Sequence, residues 1–154
     1  MVLNLSDYRI EVFREQTESY YAEEQTIYDS DPNDDTKNFV MAISGIDKDV
    51  QVFFKEIGVD IKKPIEMFLS YEEGPLLVYE GYYHICGNIL SGTAPWMCED
   101  NSNLKILDES VMHPIGKSFL CGFSEECTLL YEGFPQPAIQ MEVIITLPRV
   151  YKNP

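Results

Sequence analysis

The sequence predicts an α+β fold: a mainly antiparallel sheet drawn from the C-terminal half, with one or two N-terminal helices packed on one face. Three observations carry this. Residues alternate at strand period over 76–90 and again over 139–147, one amphipathic helical stripe spans 46–57, and few helical spacers separate the strand-like segments after Ile65. With 154 residues, 45% of them hydrophobic and 12% aromatic, the chain has material for one core and is expected to form one domain over 1–154.

Segment 6–24 reads two ways. Tyr8 to Val12 alternates like a strand, whereas Ile10, Phe13, Thr17, Tyr20 and Tyr21 form one side of a helix that Ser6 or Asp7 would cap. The helical pattern runs longer, so a helix is expected. Residues 29–35 (Asp-Ser-Asp-Pro-Asn-Asp-Asp) read as an exposed loop, because Asp, Asn and Pro favour turns and cannot fill a core. Ile46, Val50, Phe53, Phe54 and Ile57 then recur at helical spacing. Asp47 is placed to cap that helix, Gly58 to end it in a left-handed turn, and Pro64 to prevent its resumption.

Beyond Ile65 the signals are strands. Leu77, Tyr79, Tyr83, Ile85 and Ile89 fall on one side of the first long strand, and Glu80, Tyr82, His84, Cys86 and Asn88 on the other. Gly81 and Gly87 mark bulges or close approaches of neighbouring chain. In the last strand Ile139, Met141, Val143, Ile145 and Leu147 oppose Gln140, Glu142 and Thr146, the pattern of a half-buried strand. Shorter strands are expected at 66–71, 104–108, 118–123 and 127–131, and a turn at His113-Pro114.

Charge is the unusual property. Eleven Lys and Arg stand against 26 Asp and Glu, for a net charge of −15. Residues 1–35 alone carry −8, more than half the excess in under a quarter of the chain. Such a field disfavours nucleic acid and anionic membranes, which need a basic patch, and favours encounter with a basic protein. No stretch approaches the ~20 apolar residues of a membrane span. The N-terminal MVLNLSDYRIEVF lacks the basic flank and apolar run of a secretory signal, so a cytoplasmic location is expected.

Little points to catalysis. Cys86, Cys98, Cys121 and Cys127 contain no Cys-x-x-Cys, and free thiols are the expected state. His84 and Cys86 share a strand face, but that is only half of a zinc site. Phosphate-binding glycine loops, a Gly-x-Ser-x-Gly elbow and a complete calcium loop are all missing from the sequence. Neither a catalytic residue, a metal nor a cofactor is therefore expected. Ten Tyr, eight Phe and one Trp provide rigid contact area with polar tips, a composition favoured at recognition surfaces.

Small size, acidity, α+β patterning and the segments FFKEIGVDIKKP (53–64) and YEGYYHICGNILSG (79–92) together carry a resemblance. The chain resembles the small acidic immunity proteins encoded beside bacterial contact-dependent inhibition and other polymorphic toxins. That resemblance implies a tight complex with a cognate toxin in the cytoplasm and no catalytic activity, and the acidity of the chain points to a basic toxin of nuclease type. The resemblance transfers no functional residue. The contact surface expected from the charge distribution is Glu11, Glu15, Glu18, Tyr21, Glu23, Glu24, Tyr28, Asp29, Asp31, Asp34 and Asp35. Two alternatives stand beside it: a small enzyme or ligand-binding domain using the sheet face around Tyr82, His84, Cys86 and Trp96, and a mimic of nucleic acid.

Overall fold

The computed structural model describes residues 1–23, 33–99 and 103–152. Its elements are β1 (Val2–Leu5), β2 (Tyr8–Val12), α1 (Arg14–Glu23), α2 (Asp34–Ala42), α3 (Lys48–Ile57), β3 (Glu66–Glu73), β4 (Leu76–Ser91), β5 (Trp96–Cys98), β6 (Lys105–Leu107), β7 (His113–Ile115), β8 (Phe119–Ser124) and β9 (Ala138–Pro148). Seven strands form one antiparallel sheet of order β1-β2-β4-β9-β8-β7, with β3 also paired to β4; β5 and β6 form a separate hairpin. The α+β class and the antiparallel sheet are as the sequence predicts.

β4 organises the sheet because it is long enough to hold two neighbours on one edge. β3 pairs along it as far as Glu66 opposite Tyr82, and β2 begins at Val12 opposite Gly87. Backbone groups left between them would be orphaned without other partners. α1 supplies those partners: the Tyr21 hydroxyl donates to the His84 carbonyl at 2.7 Å, and Thr17 Oγ1 accepts from the Cys86 N–H at 3.1 Å. Ile65 and Phe13 close the gap from either side by donating to the carbonyls of Tyr82 and Cys86. Gly81 and Gly87 are indeed close approaches, since a Cβ on either would lie 2.1 Å from the carbonyl oxygen of Glu66 or Glu11.

The expected helix over 6–24 is corrected at its start. Residues 8–12 are β2, and the helix begins only at Arg14. Tyr8, Ile10 and Val12 are all buried at period two, because the free edge of β4 offers ladder partners that an isolated helix could not match. Asp34 and Asp35, expected in a loop, form the first turn of α2, where carboxylates complement the helix dipole. Asn33 caps that turn by accepting from the Thr36 N–H at 2.8 Å.

α3 matches its predicted stripe, with Val50, Phe53, Phe54 and Ile57 buried and Gly58 at φ 79°. The cap differs. Asp47 occupies the N-cap position, but its carboxylate accepts from the Lys117 N–H at 3.1 Å, tying the helix start to the β7–β8 turn. His113-Pro114 belongs to edge strand β7, where the missing proline N–H costs no central ladder bond. Segment 127–131 is not a strand. Leu129 takes φ 55°, and the Thr128 N–H is drawn to a side chain, Gln140, instead of to a neighbouring strand.

The helices cover the inner face of the sheet. There Leu77, Tyr79, Tyr83 and Ile85 of β4 pack with Ile139, Met141, Val143, Ile145 and Leu147 of β9 and with Phe119, Cys121 and Phe123 of β8. The outer face is not open to solvent either. Val78, Met112 and Ile144 form a small second cluster with Leu107 and Leu120, which brings β6 and the 109–111 turn onto that side. Gly122 permits this covering: a Cβ there would meet Pro95, immediately before β5, at 2.7 Å. Among the described residues no helix is long and apolar enough to cross a membrane.

Candidate functional site

Two concave surfaces bear on function. The first lies on α1. At helical spacing Glu15, Gln16, Ser19, Tyr20 and Glu23 share one flank, and with Gly133 and Pro135 they line a groove of about 540 Å³. Tyr20 is fixed by ring contacts with Tyr21, Tyr131 and Phe134, at centroid distances of 5.3, 6.1 and 4.5 Å. Glu15 and Glu23 are exposed, and neither enters an ion pair among the described residues.

The structure divides the other predicted contact residues. Glu18 turns away from this flank, pairs with Arg14 at 2.7 Å, and lines a different hollow beside Lys55 and Lys63. Glu11 sits on β2 and accepts from the Asn88 amide at 3.0 Å. Tyr21 differs from the exposed tyrosine expected: it is only 3% exposed, and its hydroxyl donates to the His84 carbonyl of β4. Asp34 and Asp35 stand apart on α2. Glu24, Tyr28, Asp29 and Asp31 lie outside the described residues.

The second concavity is on the outer face of the sheet, under the β5–β6 hairpin, with a volume of about 340 Å³. Outward-facing positions of three adjacent strands form its floor: Glu66 and Phe68 from β3, Glu80 and Tyr82 from β4, and Gln140 and Glu142 from β9. Glu66, Tyr82 and Glu142 stand in one cross-strand row. Trp96 of β5 and Lys105, Ile106 and Leu107 of β6 form the opposite wall.

A polar chain runs along this floor. The Thr128 N–H can only donate, so the Gln140 atom it meets at 2.7 Å is the amide oxygen. That oxygen also meets His84 Nε2 at 2.9 Å, so Nε2 carries the ring proton, and the Gln140 amide nitrogen donates to Glu142. His84 is fully buried, and desolvation lowers its pKa against weaker opposition from Gln140 and the Thr128 backbone. Among the described residues its Nδ1 has no hydrogen-bond partner. His84 is thus a hydrogen-bonded sheet histidine behind the cavity and does not line it.

Glu142 is the feature the sequence concealed. Burial raises its carboxyl pKa to about 7. Hydrogen bonds from Gln140 and the Trp96 indole oppose the rise, and the charges of Glu66 and Glu80 add to it. Tyr82 is pushed to about 12, first by burial and then by Glu66, and among the described residues its hydroxyl has no partner in hydrogen-bond geometry. One signal in the sequence marked the site: Glu142 interrupts an apolar run on a face it shares with Ile144, and a face carrying both is not fully solvated.

The four cysteines are free thiols: Cys86 and Cys121 are buried, Cys127 is intermediate and Cys98 is exposed. Among the described residues no three His, Cys, Asp or Glu side chains converge to hold a metal ion. Compared with known proteins, the chain matches no family model, no curated protein and no solved structure.

Proposed function

We propose that the protein is a non-catalytic inhibitor of the immunity type, which binds and neutralises a cognate basic toxin, a nuclease, in the cytoplasm. The observation that supports this reading best is the α1 groove. Two exposed carboxylates that enter no ion pair among the described residues, Glu15 and Glu23, flank Tyr20 on a surface completed by Gly133 and Pro135. Uncompensated acids around a rigid aromatic are what a cationic protein surface would meet productively. The charges steer encounter, and burial of the ring gives the complex lifetime. Glu18 contributes less in this reading, because Arg14 already neutralises it. The full burial of His84 also favours binding over acid–base chemistry at that residue, since a catalytic base must reach its substrate.

The test is capture from the source cell with tagged protein, at low and at high salt, followed by identification of what remains bound. A single basic protein retained at both salt levels in one-to-one ratio supports the inhibitor. A broad set of basic proteins lost at high salt supports nucleic-acid mimicry instead.

A further inference from the structure

We propose that the outer-face cavity bounded by Glu66, Tyr82, Glu142 and Trp96 is a binding site for a flat organic cation, a guanidinium or amidinium group. The proposal does not depend on the toxin-inhibitor reading, whose surface is on α1.

The chemistry of the walls selects the ligand. Three carboxylates, Glu66, Glu80 and Glu142, line the cavity against one cation, Lys105, whose ammonium lies 3.8 Å from Glu126. The carboxylates alone would be an unremarkable acidic cluster. The second, independent feature is Tyr82, which is 7% exposed, lines the same cavity beside Glu66, and has a hydroxyl with no partner in hydrogen-bond geometry among the described residues. A buried polar atom left unsatisfied is destabilising, and a ligand offering a hydrogen-bonding N–H removes that penalty. No three acidic or His/Cys ligands converge among the described residues, which sets a metal ion aside in favour of a larger, delocalised cation.

Aromatic walls fit the same group. Trp96 and Phe68 are part-exposed at the cavity, so a planar cation can lie against a ring face while its edge meets carboxylate oxygens. A volume of about 340 Å³ is at the small end for ligand sites, room for one such head group and a short stem.

The carboxyl of Glu142 titrates near neutrality in a setting made by Glu66 on β3, Glu80 and Tyr82 on β4, Trp96 on β5, Lys105 on β6 and the Cys127–Thr128 segment. A bound cation would favour its ionised form, so cation binding expels a proton below about pH 7 and strengthens as pH rises through that value. The cation has two sources, a free guanidino compound or an arginine side chain presented by a polypeptide.

Trp96 is the only tryptophan, so its fluorescence reports on the cavity directly. The full chain is titrated with ethylguanidinium, with neutral ethylurea as the isostere. The expected result is a saturable change with the cation alone, weakened about tenfold by Glu142→Gln and severalfold by Glu66→Gln, and unchanged by Glu73→Gln, which is remote from the cavity. The wild-type midpoint rises as pH is lowered from about 8 to about 5.5, and that dependence flattens in Glu142→Gln. Glu66 is exposed, so its variant remains informative if the buried one misfolds. Tighter binding of acetyl-Gly-Arg-Gly-amide than of ethylguanidinium identifies an arginine side chain as the natural occupant, and exclusion of the peptide identifies a free compound. Absence of a saturable change, an equal change with ethylurea, or a midpoint unmoved by both Glu66→Gln and Glu142→Gln overturns the proposal.

Discussion

The two faces of the β4–β9 pair are almost equally buried, yet one is chemically finished and the other is not. On the inner face Met141, Val143 and Ile145 carry no polar group, and the tyrosines that reach inward end on backbone carbonyls: Tyr79 on Asp35 at 2.7 Å and Tyr83 on Ile61 at 2.6 Å. On the outer face burial raises the Glu142 carboxyl to about 7, and among the described residues both the Tyr82 hydroxyl and His84 Nδ1 lack partners. Burial alone therefore says little about role. Hydrogen-bond satisfaction is what separates the two faces: the inward tyrosines end on partners, and two polar atoms of the outer face do not.

The strongest way to test this contrast is to damage the finished face. Met141→Ala removes a fully buried side chain from the centre of the core and should cost about 2–5 kcal/mol in urea unfolding. A loss under about 1 kcal/mol would mean that the inner face is loosely packed and that the contrast fails.

The next effect comes from the unfinished face and depends on pH. The folded pKa of Glu142, about 7, exceeds its ordinary value of 4.5, so between those values the folded state holds a proton that the unfolded state has released. This contribution is fully present below about pH 4.5 and is lost as pH rises through about 7, on the order of 3 kcal/mol across the window. Glu142→Gln should flatten that part of the stability–pH curve and make the protein more stable than wild type near pH 8. Parallel curves for the two proteins would show that the carboxyl titrates normally.

A smaller loss is expected where α1 completes β4. Tyr21→Phe strands the His84 carbonyl and Thr17→Val strands the Cys86 N–H, each costing roughly 1–3 kcal/mol and faster amide exchange at Cys86 in the second case. The smallest stability effect belongs to the exposed flank of the same helix. Reversing Glu15 and Glu23 to Lys should change stability by no more than about 0.5 kcal/mol while slowing association with the captured basic partner at least about tenfold at low salt. Reversing Glu125 and Glu126 should slow it far less. Equal effects in stopped-flow binding would move the interface away from α1.

How far the sequence could be read follows from these same residues. Strict period-two alternation placed Ile139, Met141, Val143, Ile145 and Leu147 on the core face, and the stripe from Ile46 to Ile57 placed α3, because both patterns record burial on one side of an isolated element. The helix expected from Ser6 failed because the choice at Tyr8–Val12 was made by a distant strand edge, an arrangement that local period cannot express. Tyr21 read as a surface tyrosine for the same reason, since the β4 groups that bury it lie more than sixty residues away along the chain. The contact set taken from charge was split likewise, with Glu15 and Glu23 on one flank and Glu18 on another.

By itself the sequence determined the fold class, the acidic field and its N-terminal bias, and the residues of the inner core, because composition and periodicity are properties of the chain taken a few residues at a time. Only the tertiary structure decided that the outer face is roofed, that Glu66, Tyr82 and Glu142 share a row, and that one carboxyl is held near neutrality. Desolvation depends on what packs above a side chain, and here the roof comes from a hairpin some forty residues earlier that Gly122 allows to settle on the sheet.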